Sequence, residues 1–237
     1  MRIAVFSDVH GNLAALQAVL ADVEKRKVDY TVCAGDLVGY APFPNEVIHL
    51  IQERNIPCVM GNYDDGVGFF RPVCGCDFKD DQARLLGEQS LLWTKKHTSE
   101  ENKEFLRFLP YEIRIEAAGK RLLIVHGSPK ALNEYLSADT SEHYLKGLLE
   151  EEDTDVLICG HTHIPCHKQW DQGHLVNAGS IGKPKHGKSS AVYALIQITK
   201  GIAVEFLDVA YDVEATASAI EKSDLPDAFA HMLRKGH

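Results

Sequence analysis

No apolar run in this chain approaches the ~20 residues a membrane-spanning helix needs, so insertion in a bilayer is not expected. The N-terminal segment Met1-Arg2-Ile3-Ala4-Val5-Phe6 turns polar at Ser7-Asp8, too soon for a secretory leader. A cytoplasmic location is the resulting expectation. Positive charge is scarce: 25 Lys and Arg face 34 Asp and Glu, a net charge of −9. That balance gives no general attraction to nucleic acid or to an anionic membrane, so neither is expected as a stable partner. A phosphate ligand would need positive charge supplied locally, for example by metal ions. Cysteines are few, and only Cys74-Gly75-Cys76 forms a close pair, without a second Cys or His pair at zinc-site spacing. It reads as reduced loop thiols, while Cys33, Cys58 and Cys159 read as small buried hydrophobes. Gly-x-Ser-x-Gly and Walker-type glycine loops are also missing, which leaves no obvious nucleophilic side chain.

What is present suits one globular domain over residues 1–237, with 45% hydrophobic residues and no repeat, low-complexity tract or linker. Residues 1–62 read β-α-β-α-β. Asn12 is a plausible N-cap for a first helix, and a second runs from about Pro44 to Arg54. Residues 64–109 read as a helical insertion: a stretch with Gly and Cys, a helix over about 80–97, and a second helix starting at Thr98-Ser99-Glu100-Glu101. From 111 onward strands dominate, at about 111–117, 121–126, 155–160, 166–171, 173–177, 190–199 and 202–208. Helices are expected at about 141–151 and 211–222. Gly119-Lys120 and Asp171-Gln172-Gly173 favour hairpins, so part of this half is antiparallel. The expected fold is α/β, a four-layer α/β/β/α sandwich of two mixed sheets with flanking helices.

Seven potential metal ligands then stand in five motifs, each behind a short apolar run: Asp8-Val9-His10, Gly35-Asp36, Gly61-Asn62, His126-Gly127 and Gly160-His161-Thr162-His163. The runs 3–6, 30–34, 56–60, 122–125 and 156–159 read as buried strands. Ligands of open α/β sheets gather at the carboxyl ends of such strands, so five loops can bring these residues together. Imidazole nitrogen and carboxylate oxygen suit divalent transition metals. Asp36 ends its strand alone and is the natural bridge between two ions. Asp8 and His10 would point apart on an extended backbone, so a turn at Val9-His10-Gly11 must bring them together, and Gly11 permits one. His161 and His163 share that spacing, so each can face a different ion. Two ions ~3.5–4 Å apart clamp the attacking and leaving oxygens of a phosphoryl group and make hydroxide available near neutral pH.

The set Asp8-x-His10, Gly35-Asp36, Gly61-Asn62-x-Asp64, His126-Gly127 and Gly160-His161-x-His163 resembles the calcineurin-like metallophosphoesterases. Asn177-Ala178-Gly179-Ser180-Ile181-Gly182-Lys183-Pro184 resembles a later turn of that family. The resemblance implies one divalent metal on Asp8, His10, Asp36 and His163, and a second on Asp36, Asn62, His126 and His161. It implies a metal-bridging hydroxide attacking phosphorus in line, with Asn62 both ligand and phosphate contact. A mixed His/Asp/Asn set accepts manganese, iron, cobalt, nickel or zinc, and the sequence does not choose among them.

Two departures from the family pattern matter. The family commonly has Gly-Asn-His-Asp/Glu, its His helping to protonate the leaving group; here the stretch is Gly61-Asn62-Tyr63-Asp64. Tyr63 serves either as the donor or as packing beside the site, with His186 as a weak substitute. Gly35-Asp36-Leu37-Val38-Gly39-Tyr40 also lacks the Arg that relatives acting as protein phosphatases or dinucleoside-tetraphosphate hydrolases carry. The resemblance then points to the small prokaryotic phosphodiesterases. The expected activity is hydrolysis of a small-molecule phosphodiester, with Asn62, Tyr63 and Asp64 as catalytic residues beside the metals. Hydrolysis of phosphomonoesters, including phosphoproteins, and a non-catalytic metal-stabilised binding module are the alternatives. A homo-oligomer remains open.

Overall fold

In the computed structural model every residue is described except Lys79 and Gln172. Period-2 burial builds two sheets. β1 (Arg2–Phe6) pairs parallel with β2 (Tyr30–Cys33) and antiparallel with β8 (Ala191–Ile198), which pairs antiparallel with β9 (Ile202–Val209). The order of this sheet is β2-β1-β8-β9. The second sheet contains β3 (Ile113–Ala117), β4 (Lys120–Ile124), β5 (Val156–Cys159), β6 (Cys166–Trp170) and β7 (Gly173–Asn177), in the order β3-β4-β5-β7-β6. Here β4, β5 and β7 run parallel and the two edge strands antiparallel. Both sheets are mixed, as expected. β6 and β7 pair as a hairpin from Trp170↔Gly173 onward. The expected turn at Asp171-Gln172-Gly173 includes Gln172, which lies outside the described residues, as does Lys79 of the insertion.

Alternation decides the layers. Ile3 and Val5 of β1 face Leu122 and Ile124 of β4 and Val156 and Ile158 of β5, all fully or almost fully buried between the sheets. Ala4 and Phe6 turn the other way, onto Leu16, Val19 and Leu20 of α1 (Leu13–Arg26) and onto Val47, Ile48 and Ile51 of α2 (Pro44–Glu53). Leu123, Leu157 and Leu175 turn outward onto Leu145, Leu148 and Leu149 of α6 (Glu142–Glu151). A one-residue slip in any of these strands would exchange its two faces, so burial fixes the register. The result is the expected α/β/β/α sandwich. Asn12 caps α1 as expected, accepting from the Ala15 N–H at 3.2 Å.

Three expectations need correction. The run 56–60 is no full strand; it makes a single parallel bridge, Cys33↔Cys58. Pro57 has no N–H to give a ladder, and the Met60 N–H leaves the sheet to donate to Pro110 O at 2.7 Å. A short helix, α3 (Asn62–Gly68), begins directly at the ligand Asn62, ahead of α4 (Asp81–His97) and α5 (Glu100–Arg107). Its two glycines, Gly66 and Gly68, hid it from propensity reasoning; close packing against Leu91 and Arg107 needs them. Beyond α7 (Val213–Glu221) the chain forms an unanticipated helix, α8 (Ala228–Lys235), which buries Phe229, Ala230 and Leu233.

Candidate metal centre

The parallel strands β1, β2, β4 and β5 all end at one rim, and the loops leaving them carry the predicted ligands. The backbone there is unusual. Asp8, His10, Asp36, His161 and His163 all have positive φ, between 49° and 67°. Left-handed backbone is costly for a residue with a Cβ and persists where surrounding structure over-determines it, as at functional sites. At Asp8 and His10 it answers the question posed by their spacing: curling the chain at both residues brings both side chains into one cluster. Glycine next to the ligands has a separate cause, close approach. A Cβ on Gly61 would lie 2.1 Å from Asp36 Oδ1, and one on Gly160 2.6 Å from Asp8 Oδ2.

Two triads result, Asp8/His10/His163 and Asp36/His126/His161, each fully buried with its ligand atoms within 4.8 Å of one another. His161 and His163 thus face different clusters, as their spacing suggested. Asp36 Oδ2 lies between the two, 3.7 Å from His10 Nε2 and 3.4 Å from His126 Nε2. Asn62 Oδ1 sits 3.0 Å from His126 Nε2.

The chemistry of this set fits cations. His10 Nδ1 is 3.0 Å from Val38 O, His126 Nδ1 2.8 Å from Ala34 O and His163 Nδ1 2.6 Å from Lys183 O. A carbonyl only accepts, so each Nδ1 carries the proton, and the neutral rings of His10 and His163 turn a bare Nε2 inward. His10 Nε2 and His163 Nε2 then meet lone pair to lone pair at 3.2 Å. Asp8 Oδ1 and His161 Nε2 are buried with no hydrogen-bond partner. Burial, and then His126, push His161 down to about 4; burial, and then Lys185, push His163 down to about 3. Both are neutral, metal-binding imidazoles at neutral pH. Burial would lower His126 too, but Asp36 and Asp8 outweigh it and raise it to about 10, so without a cation this ring holds a proton.

Supporting groups lock the ligands. The Asp64 carboxylate accepts N–H bonds from Asp36 and Gly61 through Oδ2 and from Leu37 through Oδ1, all at 2.9 Å. Burial, and then the Asp36 charge, raise Asp64 to about 7 against those N–H groups. The Tyr63 N–H donates to Asp36 Oδ1 at 2.8 Å, while the Tyr63 ring packs 5.4 Å from His10 and 4.8 Å from Tyr40. Its hydroxyl lies 3.4 Å from Gly87 O and also interacts with the side chains of Tyr40 and Cys74, and burial pushes its pKa well above the usual phenol value. The turn after β7 braces the other triad. Ser180 Oγ donates to Asp8 O at 2.8 Å, the Gly182 N–H donates to Asp8 O at 2.9 Å, and Lys183 O holds His163.

A cavity of about 260 Å3 opens over both triads, walled by Tyr40, Tyr63, Phe78, Tyr135 and Phe229, with Lys183 and Lys185 also lining it. His186 instead faces Asp208 at 3.6 Å. Sequence reasoning did not name Tyr135 and met Tyr40 only as the end of the stretch that lacks an Arg, with no local signal that either lines the site. Lys183 was visible as part of the resembling turn. Cys76 also reaches the site: the Asn62 amide donates to its Sγ at 3.2 Å and to Cys74 O at 3.0 Å, which turns Asn62 Oδ1 toward His126.

Residues 1–201 match the calcineurin-like phosphoesterase superfamily domain. The chain belongs to that superfamily. This phosphoesterase is 34% identical to an uncharacterised protein of Methanocaldococcus jannaschii, over 99% of its own length and 98% of the relative's. It is similar in structure to a metallophosphoesterase from Sphaerobacter thermophilus, at 28% identity and a TM-score of 0.80, covering 100% and 99% of the two chains. A hypothetical protein of Pyrococcus horikoshii shares the fold at a TM-score of 0.85 and 24% identity, covering 100% and 98%. The phosphoesterase is therefore a metallophosphoesterase with two buried His/Asp triads, the ligand set of a binuclear centre. Its last segment, β9 to α8, lies beyond the matched domain, yet Phe229 and Met232 of α8 line the cavity. No described helix is long and apolar enough to cross a membrane.

Proposed function

We propose that this protein hydrolyses small-molecule phosphodiesters. The observation that carries the reading is Tyr40. It occupies the place in the Asp36 loop where phosphatase-type relatives were expected to carry a phosphate-binding Arg, and its ring is packed edge-on against His10 at 4.9 Å. That loop therefore offers no guanidinium for the dianion of a monoester, and the aromatic walls suit a phosphorus esterified on two sides. Asp8, His10, Asp36 and His163 would hold one divalent ion, and Asp36, Asn62, His126 and His161 the other. When bound, such a pair lowers the pKa of water toward ~7 and clamps oxygens of the phosphoryl group.

The chain's own contribution is positioning and exclusion of bulk water. Asp64 fixes the Asp36 loop through three backbone N–H groups, and the Cys74–Cys76 segment fixes the Asn62 amide. Tyr63 acts by packing His10 and anchoring Asp36 rather than by giving up a proton. The substrate is a small-molecule ester; neither nucleic acid nor membrane is a partner, and the protein works in the cytoplasm.

The test compares bis(p-nitrophenyl) phosphate with p-nitrophenyl phosphate on manganese-loaded protein. Both release the same good leaving group, so proton donation does not bias the comparison. Higher kcat/KM on the diester is expected; preference for the monoester would sink the diesterase reading. Asp36→Asn should lower turnover on the order of 100-fold or more, since even outer groups of a metal site contribute 10–100-fold. Metal analysis of the same variant should show loss of bound ion.

A further inference from the structure

One cation in the cavity is unexplained by the metal ligands. Lys183 belongs to the turn whose carbonyl holds His163, so its backbone is fixed beside one triad. Its Nζ lies 4.4 Å from the centroid of the Tyr40 ring, the ring that also packs on His10. Other lysines here meet carboxylates, as in Lys103–Glu100, Lys130–Glu151, Lys146–Glu142 and Lys188–Asp208. Lys183 is half-buried, yet among the described residues no Asp or Glu stands within ion-pair distance of it. A half-buried ammonium over a ring face gains about 0.5–2 kcal/mol from that contact but keeps donors unused. Lys185 lines the same cavity from two residues on. Asp77 and Asp80 line it as well, so among the described residues the Lys and Arg side chains that an anion entering here meets are those of Lys183 and Lys185.

We propose that Lys183, with Lys185 beside it, forms an anion subsite next to the metal centre that takes a second negative group of the substrate. The inference rests on the phosphoesterase reading and deepens it. The substrate class is a phosphate ester whose organic part carries a carboxylate or a second phosphoryl group a few bonds from the scissile phosphorus. Local positive charge of this kind is what a chain of net charge −9 must provide for a multiply charged ligand.

Three diesters of p-nitrophenol test it: the ethyl, carboxymethyl and phosphonomethyl p-nitrophenyl phosphates. They share leaving group and scissile bond and differ in the second charge. The native protein should favour one or both charged esters over the ethyl ester by about tenfold in kcat/KM, carried by KM, the size of one charge-assisted hydrogen bond. Which charged ester is favoured tells carboxylate from phosphoryl recognition. Lys183→Met keeps the length of the side chain over Tyr40 and should bring that ratio toward one, whereas Lys183→Arg should retain part of it. No preference in the native protein, or an unchanged ratio in Lys183→Met, overturns the subsite. If the native protein cleaves none of the three, it is the diesterase reading that fails. The subsite is then decided by calorimetric binding of phosphonoacetate against ethylphosphonate to native protein and Lys183→Met, where an equal ratio in both overturns it.

Discussion

At the scale of single residues, the centre depends on groups that hold the ligands as much as on the ligands. Asp64 contributes no atom to either triad, yet three buried N–H groups of the two ligand loops, that of Asp36 among them, converge on it. Asn in its place keeps one acceptor oxygen and turns an amide donor toward backbone donors. Hydrogen bonds to a charged group are worth about 1.5–3 kcal/mol each, so Asp64→Asn should cost roughly 2–3 kcal/mol after partial relaxation. Urea unfolding of the metal-free protein checks this, and a loss below about 0.5 kcal/mol would mean that the Asp36 loop holds itself. For Tyr63 the expectation runs the other way. A general acid contributes about 10²–10⁴-fold, whereas a phenol that burial holds well above its usual pKa gives up a proton poorly. Tyr63→Phe should therefore stay within about threefold of native turnover even on an alkyl ester with a poor leaving group. A fall of 100-fold on such a substrate, with the p-nitrophenyl ester spared, would restore the tyrosine as proton donor.

At the scale of elements, the sheets place the loops, and the ends of the strands opposite the metals carry the ties. Asp155, just before β5, accepts from the Arg121 N–H at 2.8 Å and lies 3.4 Å from the Arg121 guanidinium of β4. Partial burial alone would raise its carboxyl pKa, but the Arg121 backbone and side chain outweigh it and hold the group below the ordinary carboxylate value. A depressed folded pKa means that the native state binds fewer protons than the unfolded chain. The contribution is complete above the unfolded value near ~3.9 and disappears as pH falls through the lower folded value. The site faces solvent and is screened by salt, so Asp155→Asn should cost only about 0.5–1 kcal/mol at pH 7. That difference should shrink as unfolding is repeated from pH 4 downward; a gap constant with pH would assign the loss to the backbone bond alone. The elements themselves were largely legible. Continuous apolar runs marked β1, β4 and β5, and capping residues marked α1 and α5. The strand expected over 56–60 failed because an apolar run records burial and not ladder bonding, and Pro57 removes a donor. α8 was passed over because it is only eight residues long, and its buried face is read only against the neighbours it covers.

At the scale of the whole molecule, the two sheets are joined at the site as well as in the core. Asp8 and His10 leave one sheet, His126, His161 and His163 leave the other, and the His161 N–H donates to Asp8 Oδ2 across the junction at 3.0 Å. Bound ions would bridge the same junction, replacing lone pairs that now face each other. Manganese should therefore stabilise the fold, by about 2.7 kcal/mol at a free concentration 100 times its dissociation constant. Chelation should lower the melting temperature and manganese should restore it; a melting temperature indifferent to both would mean the triads bind no ion in the folded state.

The sequence by itself determined the ligand types, their order behind apolar runs and the four-layer class, because burial and hydrogen bonding act through local periodicity. It also marked Asp36 as the residue that stands between the two triads and His161 and His163 as a split pair. It did not determine how Asp8 and His10 come to face one way: left-handed backbone at five ligands is imposed by the loops and turns packed around them. Nor did it place Tyr40 over His10, Lys183 over Tyr40, or Phe229 from the far end of the chain beside the metal centre. Those neighbours are separated by up to hundreds of positions along the chain, and only strand pairing, the packing of the sheets and the docking of α8 bring them into contact.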